Sequence, residues 1–195
     1  MWLRNLALIV VAILAASCAS TQDSTTGVVD IAPGVTLTLP DRSPFGAEAN
    51  VVQLGQARYE DRDVVFQAVI SSKPDVMSLV MTLPSGPRVM SFTWTPGSLQ
   101  TKLESIAPKG ISADHMLADM IVMYAPAQLL QSLLSGAELT TASDGARRIV
   151  RGGEVLVVVT RPGGASSNLW IGNAVLENKA FGYTLRIESK ALGGP

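Results

Sequence analysis

One cysteine, Cys18, and one histidine, His115, are the only thiol and imidazole in the chain. His115 lies beside Asp114 and one helical turn before Asp119, a spacing that permits a His–carboxylate pair for general acid–base work. No serine sits in a G-x-S-x-G elbow for such a pair to activate, so His115 reads as a helix-surface residue, with a hydrolase built on it the remotest alternative. No His/Cys cluster and no D-x-D-x-D-G loop offers a metal site. "RGGEV" and "RPGGASS" are rich in glycine, but neither opens a helix after a strand, so both read as hairpin turns rather than phosphate cradles. The expectation is a protein without catalytic activity, cofactor or metal.

Cys18 has another use. Residues 1–5 carry Arg4, residues 6–16 form an unbroken apolar run too short to span a bilayer, and small residues precede the cysteine. That is the three-part pattern of an export signal. A lone cysteine forms no internal disulfide, and a free thiol is a liability in an oxidising compartment. The stretch Ala15-Ala16-Ser17-Cys18 resembles a bacterial lipobox, with Ala15 where a branched aliphatic is usual and Leu14 one place early. The resemblance implies cleavage before Cys18 and lipid attachment to it. Ala19 stands where an Asp would retain such a protein in the inner membrane, so the expected location is the periplasmic face of the bacterial outer membrane. Multiple acyl chains would make that anchor stable. Residues 1–17 are thus the expected lipoprotein signal peptide, and the polar stretch from Ser20 to Gly27 begins a lipidated tether and extended lead-in over 18–49.

After removal of the signal about 178 residues remain, enough for one domain with a substantial core. The net charge is -1, which argues against nucleic acid as a partner. Arg147, Arg148 and Arg151 are too few to form a basic field and read as the solvated face of one strand.

The elements follow from periodicity. Three prolines between residues 28 and 46 predict extended chain with one edge strand over 35–39. Period-two alternation predicts a folded domain over 50–190 that opens with strands at 51–59, 64–71, 76–83, 89–95 and 99–106, an antiparallel meander. The period then changes. Ser112 is a candidate N-cap for a helix running to Pro126, and Leu129, Leu130, Leu133 and Leu134 mark a second short helix ending at Gly136. Strands resume at 146–151, 155–162, 168–177 and 183–189. The fold class expected is mainly β: a curved antiparallel sheet of eight or nine strands, or an incomplete barrel, covered by a short helical insertion.

Alternation puts Met77, Leu79, Met81 and Leu83 on one face of their strand, and Met90, Phe92 and Trp94 on one face of the next. Met116, Met120 and Met123 belong to the helix that follows, so all three groups converge if the helix covers the sheet. Methionine is flexible and polarisable and accommodates acyl chains of variable shape, and it also fills irregular cores; spacing alone leaves both readings open. A curved sheet roofed by helices is a geometry that leaves a cavity between layers.

The segment "SLVMTLPSGPRVMSFTWTPG", residues 78–97, resembles the central hairpin of the LolB family of bacterial outer-membrane lipoprotein receptors, through Ser78-Leu79, Thr82, Pro84, Gly86 and Pro96-Gly97. The stretches "HMLADMIVMYAPAQLLQSLL" and "GNAVLENKAFGYTLRIES" are similar to a lipoprotein family associated with aryl-polyene (xanthomonadin-type) pigment clusters. These resemblances imply a LolA/LolB-like incomplete barrel whose apolar cavity holds an acyl or polyene-lipid chain, or lipoprotein acyl chains. They also imply a periplasmic carrier protein as delivering partner. At the hairpin tip, where LolB proteins expose a leucine, this chain has Ser85, with Leu83 nearby on the strand. The expected function is lipid binding and transfer to the membrane; the alternative is a protein-interaction or structural module of a cell-envelope assembly.

Overall fold

The computed structural model describes residues 20–24, 27–45, 48–108, 110–162 and 168–193. Cys18 and the expected signal peptide at 1–17 lie outside the described residues. The first described elements are β1 (Ser20–Ser24), β2 (Val28–Ala32) and β3 (Val35–Thr38). A meander follows through β4 (Ala49–Tyr59), β5 (Arg62–Lys73), β6 (Val76–Thr82), β7 (Arg88–Thr95) and β8 (Ser98–Leu103). Then come α1 (Ala113–Tyr124), α2 (Ala127–Leu133), β9 (Leu134–Ser135), β10 (Glu138–Thr141), β11 (Arg147–Arg151), β12 (Glu154–Thr160), β13 (Gly172–Asn178) and β14 (Tyr183–Ala191).

Eleven strands make one antiparallel sheet in the order β1-β8-β7-β6-β5-β4-β14-β13-β12-β11-β10. Its centre is the pairing of β14 with β4, from Tyr183 opposite Tyr59 to Ala191 opposite Val51, which joins the last strand to the first of the meander. Each long strand buries alternate residues: in β5, Phe66, Ala68, Ile70 and Ser72 face inward while Val65, Gln67 and Val69 face solvent. Helix α1 touches both β8, near one edge, and β13, on the other half of the sheet. A single helix reaches both because the sheet is curved around it, and the sheet stays open because its edge strands β1 and β10 are not paired to each other. The expected fold class is the observed one: mainly antiparallel β, curved, with two short helices; the sheet has eleven strands rather than eight or nine because the short edge strands β1 and β10 add to it.

The lead-in departs from expectation. The segment 35–39 was expected to supply an edge strand; β3 is instead the middle strand of a separate three-stranded sheet, β2-β3-β9. Val29, Ile31, Val35 and Leu37 are buried in the core, and β2 packs on α1. This second layer explains why α1 buries five consecutive residues, Met120 to Tyr124: one side faces the large sheet and another the small one. The prolines confine the strands to short stretches without preventing them.

Smaller differences have local causes. The strand expected over 99–106 stops at Leu103, where Ala107 N–H bonds the Glu104 carbonyl in a turn. Ser112 does stand at the N-cap of α1, but its side chain makes no capping bond. The strand expected over 168–177 starts only at Gly172, because the Asn168 side chain accepts from Trp170 N–H and folds the preceding residues into a turn. Arg147 does not lie on a solvated face: it is half-buried and bonds helix carbonyls, as described below.

Candidate ligand cavity

Between the concave face of the sheet and α1 lies a cavity of about 720 Å³. The sheet contributes Phe66 and Ala68 from β5, Leu79 and Met81 from β6, and Leu185 and Ile187 from β14. The helix contributes Met116, Met120 and Met123, one turn apart along one face. Leu83 and Val89, at the β6–β7 hairpin, and Pro108 and Ile111, between β8 and α1, also border it. The volume falls within the roughly 300–1,000 Å³ of small-molecule sites, and the walls are largely apolar, as in such sites.

The structure thus brings Leu79, Met81, Met116, Met120 and Met123 to one space. Met77, Met90, Phe92 and Trp94 share the inward face of their strands but sit outside the cavity lining, buried in solid core. Met77 and Trp94 form a cross-strand row, as do Leu79 and Phe92, and the cavity opens at the other end of the strands, beyond the row of Met81 and Met90. There a bulge in β7 places Val89 on the wall beside Met81. Leu83 is half-buried on the wall, and Ser85 is exposed at the hairpin tip, in a turn closed by Gly86 N–H on the Leu83 carbonyl. Gly86 has φ 107, a conformation that favours glycine.

The shape of the sheet wall depends on Gly55. A Cβ there would overlap the outer end of the Phe66 ring, which occupies the space beside the bare backbone of β4. Gly55→Val is therefore expected to tip Phe66 into the cavity, reduce its volume and cost about 1 to 3 kcal/mol of stability. Urea denaturation measures the cost; a crystal structure of the variant with Phe66 unmoved would show that the ring is not what Gly55 accommodates.

Two polar bridges cross this apolar space. In the interior, Gln53 Nε2 donates to the Tyr124 hydroxyl at 3.0 Å and to Ser189 Oγ at 2.9 Å. Burial pushes the Tyr124 hydroxyl pKa up. Nearer the opening, Tyr183 donates its hydroxyl proton to Asp119 Oδ1 at 2.7 Å and accepts from Asn178 Nδ2 at 3.3 Å. The same Nδ2 donates to the Ile31 carbonyl at 2.9 Å, tying α1, both ends of the β13–β14 turn and the small sheet together. Burial pushes the Asp119 carboxyl up to about 7, against the opposing effect of the Tyr183 hydrogen bond. The Tyr183 hydroxyl is raised by burial and by the neighbouring carboxylate. His115 is exposed at the rim, and among the described residues no ion pair joins it to Asp119.

The C-terminal end of α1 is held by arginines from outside the helix. Arg147 Nη1 donates to the Ala125 carbonyl at 2.6 Å, and Arg161 Nη2 donates to the Met123 carbonyl at 2.8 Å. Arg161 also lies 5.4 Å from the centre of the Tyr124 ring, which stacks on Trp170 at 4.5 Å. Cations at this end complement the helix dipole and satisfy its free carbonyls. Burial lowers the pKa of both guanidinium groups.

None of these polar partners was among the expected site residues. One signal was present: Asp119 interrupts the apolar run "MLADMIVMY", and a carboxyl on a helix so largely buried requires a partner. The sequence placed Asp119 only as a neighbour of His115. A second hollow of about 460 Å³, lined by Leu54, Val65, Val175 and Arg186 among others, lies on the solvent side of the sheet. It has one layer for a wall, whereas the methionine cavity is enclosed between two.

Fold and site define a class: an open antiparallel sheet wrapped on a helix, with a ligand-sized apolar cavity between them. Residues 50–191 match the family described as protein of unknown function (DUF3261), and the chain belongs to that family. Among curated proteins none matches. Among solved structures the chain is similar to a LolA superfamily protein from Nitrosomonas europaea, at 11% identity and a TM-score of 0.48, over 79% of this chain and 89% of that one. Among the described residues no helix is long and apolar enough to cross a membrane, and no cluster of His, Cys, Asp and Glu is placed to hold a metal ion.

Proposed function

We propose that the protein is a lipid-anchored carrier of the bacterial outer membrane that binds an acyl or polyene-lipid chain in the methionine cavity and passes it to the bilayer without covalent chemistry. The observation that carries this reading is the cavity itself: about 720 Å³ of apolar, methionine-lined space held open between two layers. A core that used methionine only as filler would close around it, since interiors pack to near-crystalline density.

The anchor fits this reading. Strand β1 starts two residues after Cys18 in sequence, and its first residue, Ser20, pairs with Leu103 of β8. Leu103 pairs with Met90, and Met90 with Met81 on the cavity wall. Lipid on Cys18 would therefore join the fold at the end of the sheet where the cavity opens. Ile106, 48% exposed, lies in the loop at that end. Cys18→Ala is expected to yield protein without fatty acid; equal palmitate label in variant and wild type would remove the lipoprotein assignment.

Met120→Trp distinguishes a cavity from a core. Overpacking a filled core costs about 1 to 3 kcal/mol, whereas the Met120 side chain borders open volume. The variant is expected to fold with a stability loss under about 1 kcal/mol and to exclude an apolar fluorescent probe that the wild type takes up. A strongly destabilised variant beside a wild type that binds no probe would mean the methionines are core. The competing reading, a module that adds a partner strand at a sheet edge, has short edges to work with among the described residues: β1 and β10 on the large sheet, β2 and β9 on the small one.

A further inference from the structure

We propose that Asp119 and Tyr183 form a head-group site at the opening of the cavity, one that admits amphiphiles whose head donates a hydrogen bond and rejects those with an anionic head. The inference rests on the lipid-binding reading and names the class of ligand. Among the described residues, Asp119 is the only carboxylate in the cavity lining. Its Oδ1 is occupied by the Tyr183 hydroxyl, and among the described residues no group bonds its Oδ2. The Tyr183 hydroxyl is itself fixed, because Asn178 donates to it while Asn178 Oδ1 accepts from Phe181 N–H and Nδ2 from the same side chain bonds Ile31. The second carboxyl oxygen is thus a held acceptor among methionines and leucines, with nothing in the protein to satisfy it.

Among the described residues, the basic groups near it are not paired to it. His115 stands one turn earlier on the same helix, at the exposed rim. From β14 the only ionisable neighbour is Tyr183, and from β4 the lining includes Tyr59, Gln53 and Arg58. Arg58 is engaged by Asp63 through two bonds, 3.1 and 2.8 Å, on the exposed side of the sheet. Tyr124 lies deeper, bonded to Gln53. Among the described residues no cation lies within ion-pair distance of Asp119. A carboxylate or phosphate head placed here meets a second negative charge in a weakly screening environment. A hydroxyl, amide or ammonium head meets an acceptor. Burial also raises the Asp119 pKa, because it takes water away from the carboxylate.

The test uses three fluorescent probes with one dansyl group and one eleven-carbon chain, ending in a carboxylate, a hydroxyl or a primary amine. At pH 8 the hydroxyl or amine probe, or both, is expected to bind at least about tenfold more tightly than the carboxylate, a difference of about 1.4 kcal/mol. Asp119→Asn, which keeps an acceptor for Tyr183, is expected to bring all three within about threefold of one another by removing the charge. An amine that binds better than the hydroxyl identifies an ion pair, and the reverse a neutral hydrogen bond; either supports the site. Wild-type protein that binds the carboxylate as tightly as the others overturns the head-group site and leaves the carrier reading intact. Failure of all three probes to bind overturns both.

Discussion

Asp119→Asn is expected to stabilise the protein at pH 8 and to leave it unchanged near pH 4. Burial holds the Asp119 carboxyl at about 7 in the folded state, against an ordinary value of 3.8 when unfolded. Between those values the folded chain binds more protons than the unfolded one, so this group's contribution to stability falls as pH rises from about 4 to about 7 and stays at its lowest above that. A displacement of about three pH units sets an upper limit of about 4 kcal/mol. Because the side chain is half-buried at the cavity opening, water relieves part of this, and about 1 to 3 kcal/mol is the expected gain. That corresponds to a rise in Tm of about 3 to 10 °C at pH 8. Thermal melts of both proteins from pH 4 to 8 measure it, and a difference independent of pH would mean that Asp119 is not the titrating group.

The second large effect concerns the roof of the cavity. Arg161→Ala removes the donor to the Met123 carbonyl at 2.8 Å and to the Leu169 carbonyl at 2.9 Å, together with the cation over Tyr124. Met123 is 1% exposed, so no water can replace the lost donor at its carbonyl without opening the layer. An orphaned buried acceptor costs about 1 to 3 kcal/mol, and the lost interaction with the helix end and the ring adds to it. The expected destabilisation is about 2 to 4 kcal/mol, read by urea denaturation. Arg161→Lys should recover less than half of it, because one ammonium does not span two carbonyls as the guanidinium fork does. A loss below about 1 kcal/mol in the alanine variant would show that α1 is seated by Arg147 and apolar packing alone.

The sequence showed the meander and the helical insertion because each repeats a simple period. The strands β4 to β8 bury alternate residues except at the β7 bulge, and the break at Pro126 separates two helices as expected. The small sheet was legible only in its strand at 35–39, found as β3: β2 is five residues long and β9 two, too short for a period to show among prolines, so nothing marked them as its partners. At the cavity, alternation identified the inward face but not the depth along it. Met81 and Met77 look equivalent in sequence, yet only Met81 lies at the open end, because that is decided by where α1 crosses the sheet. The polar bridges were illegible for a related reason. Asp119 and Tyr183 are 64 residues apart, and they meet because α1 packs over the strand that Tyr183 opens. Arg147 shares its strand with two other arginines, and nothing in the local pattern distinguishes the one that reaches a helix end.

The most direct test of the carrier account is native mass spectrometry of the protein prepared without detergent, followed by organic extraction of whatever remains bound. The account predicts one lipid bearing an acyl or polyene chain per protein chain, and its absence from Met120→Trp protein of the same preparation. Wild-type protein that is folded, carries no lipid and takes up no apolar probe would contradict it.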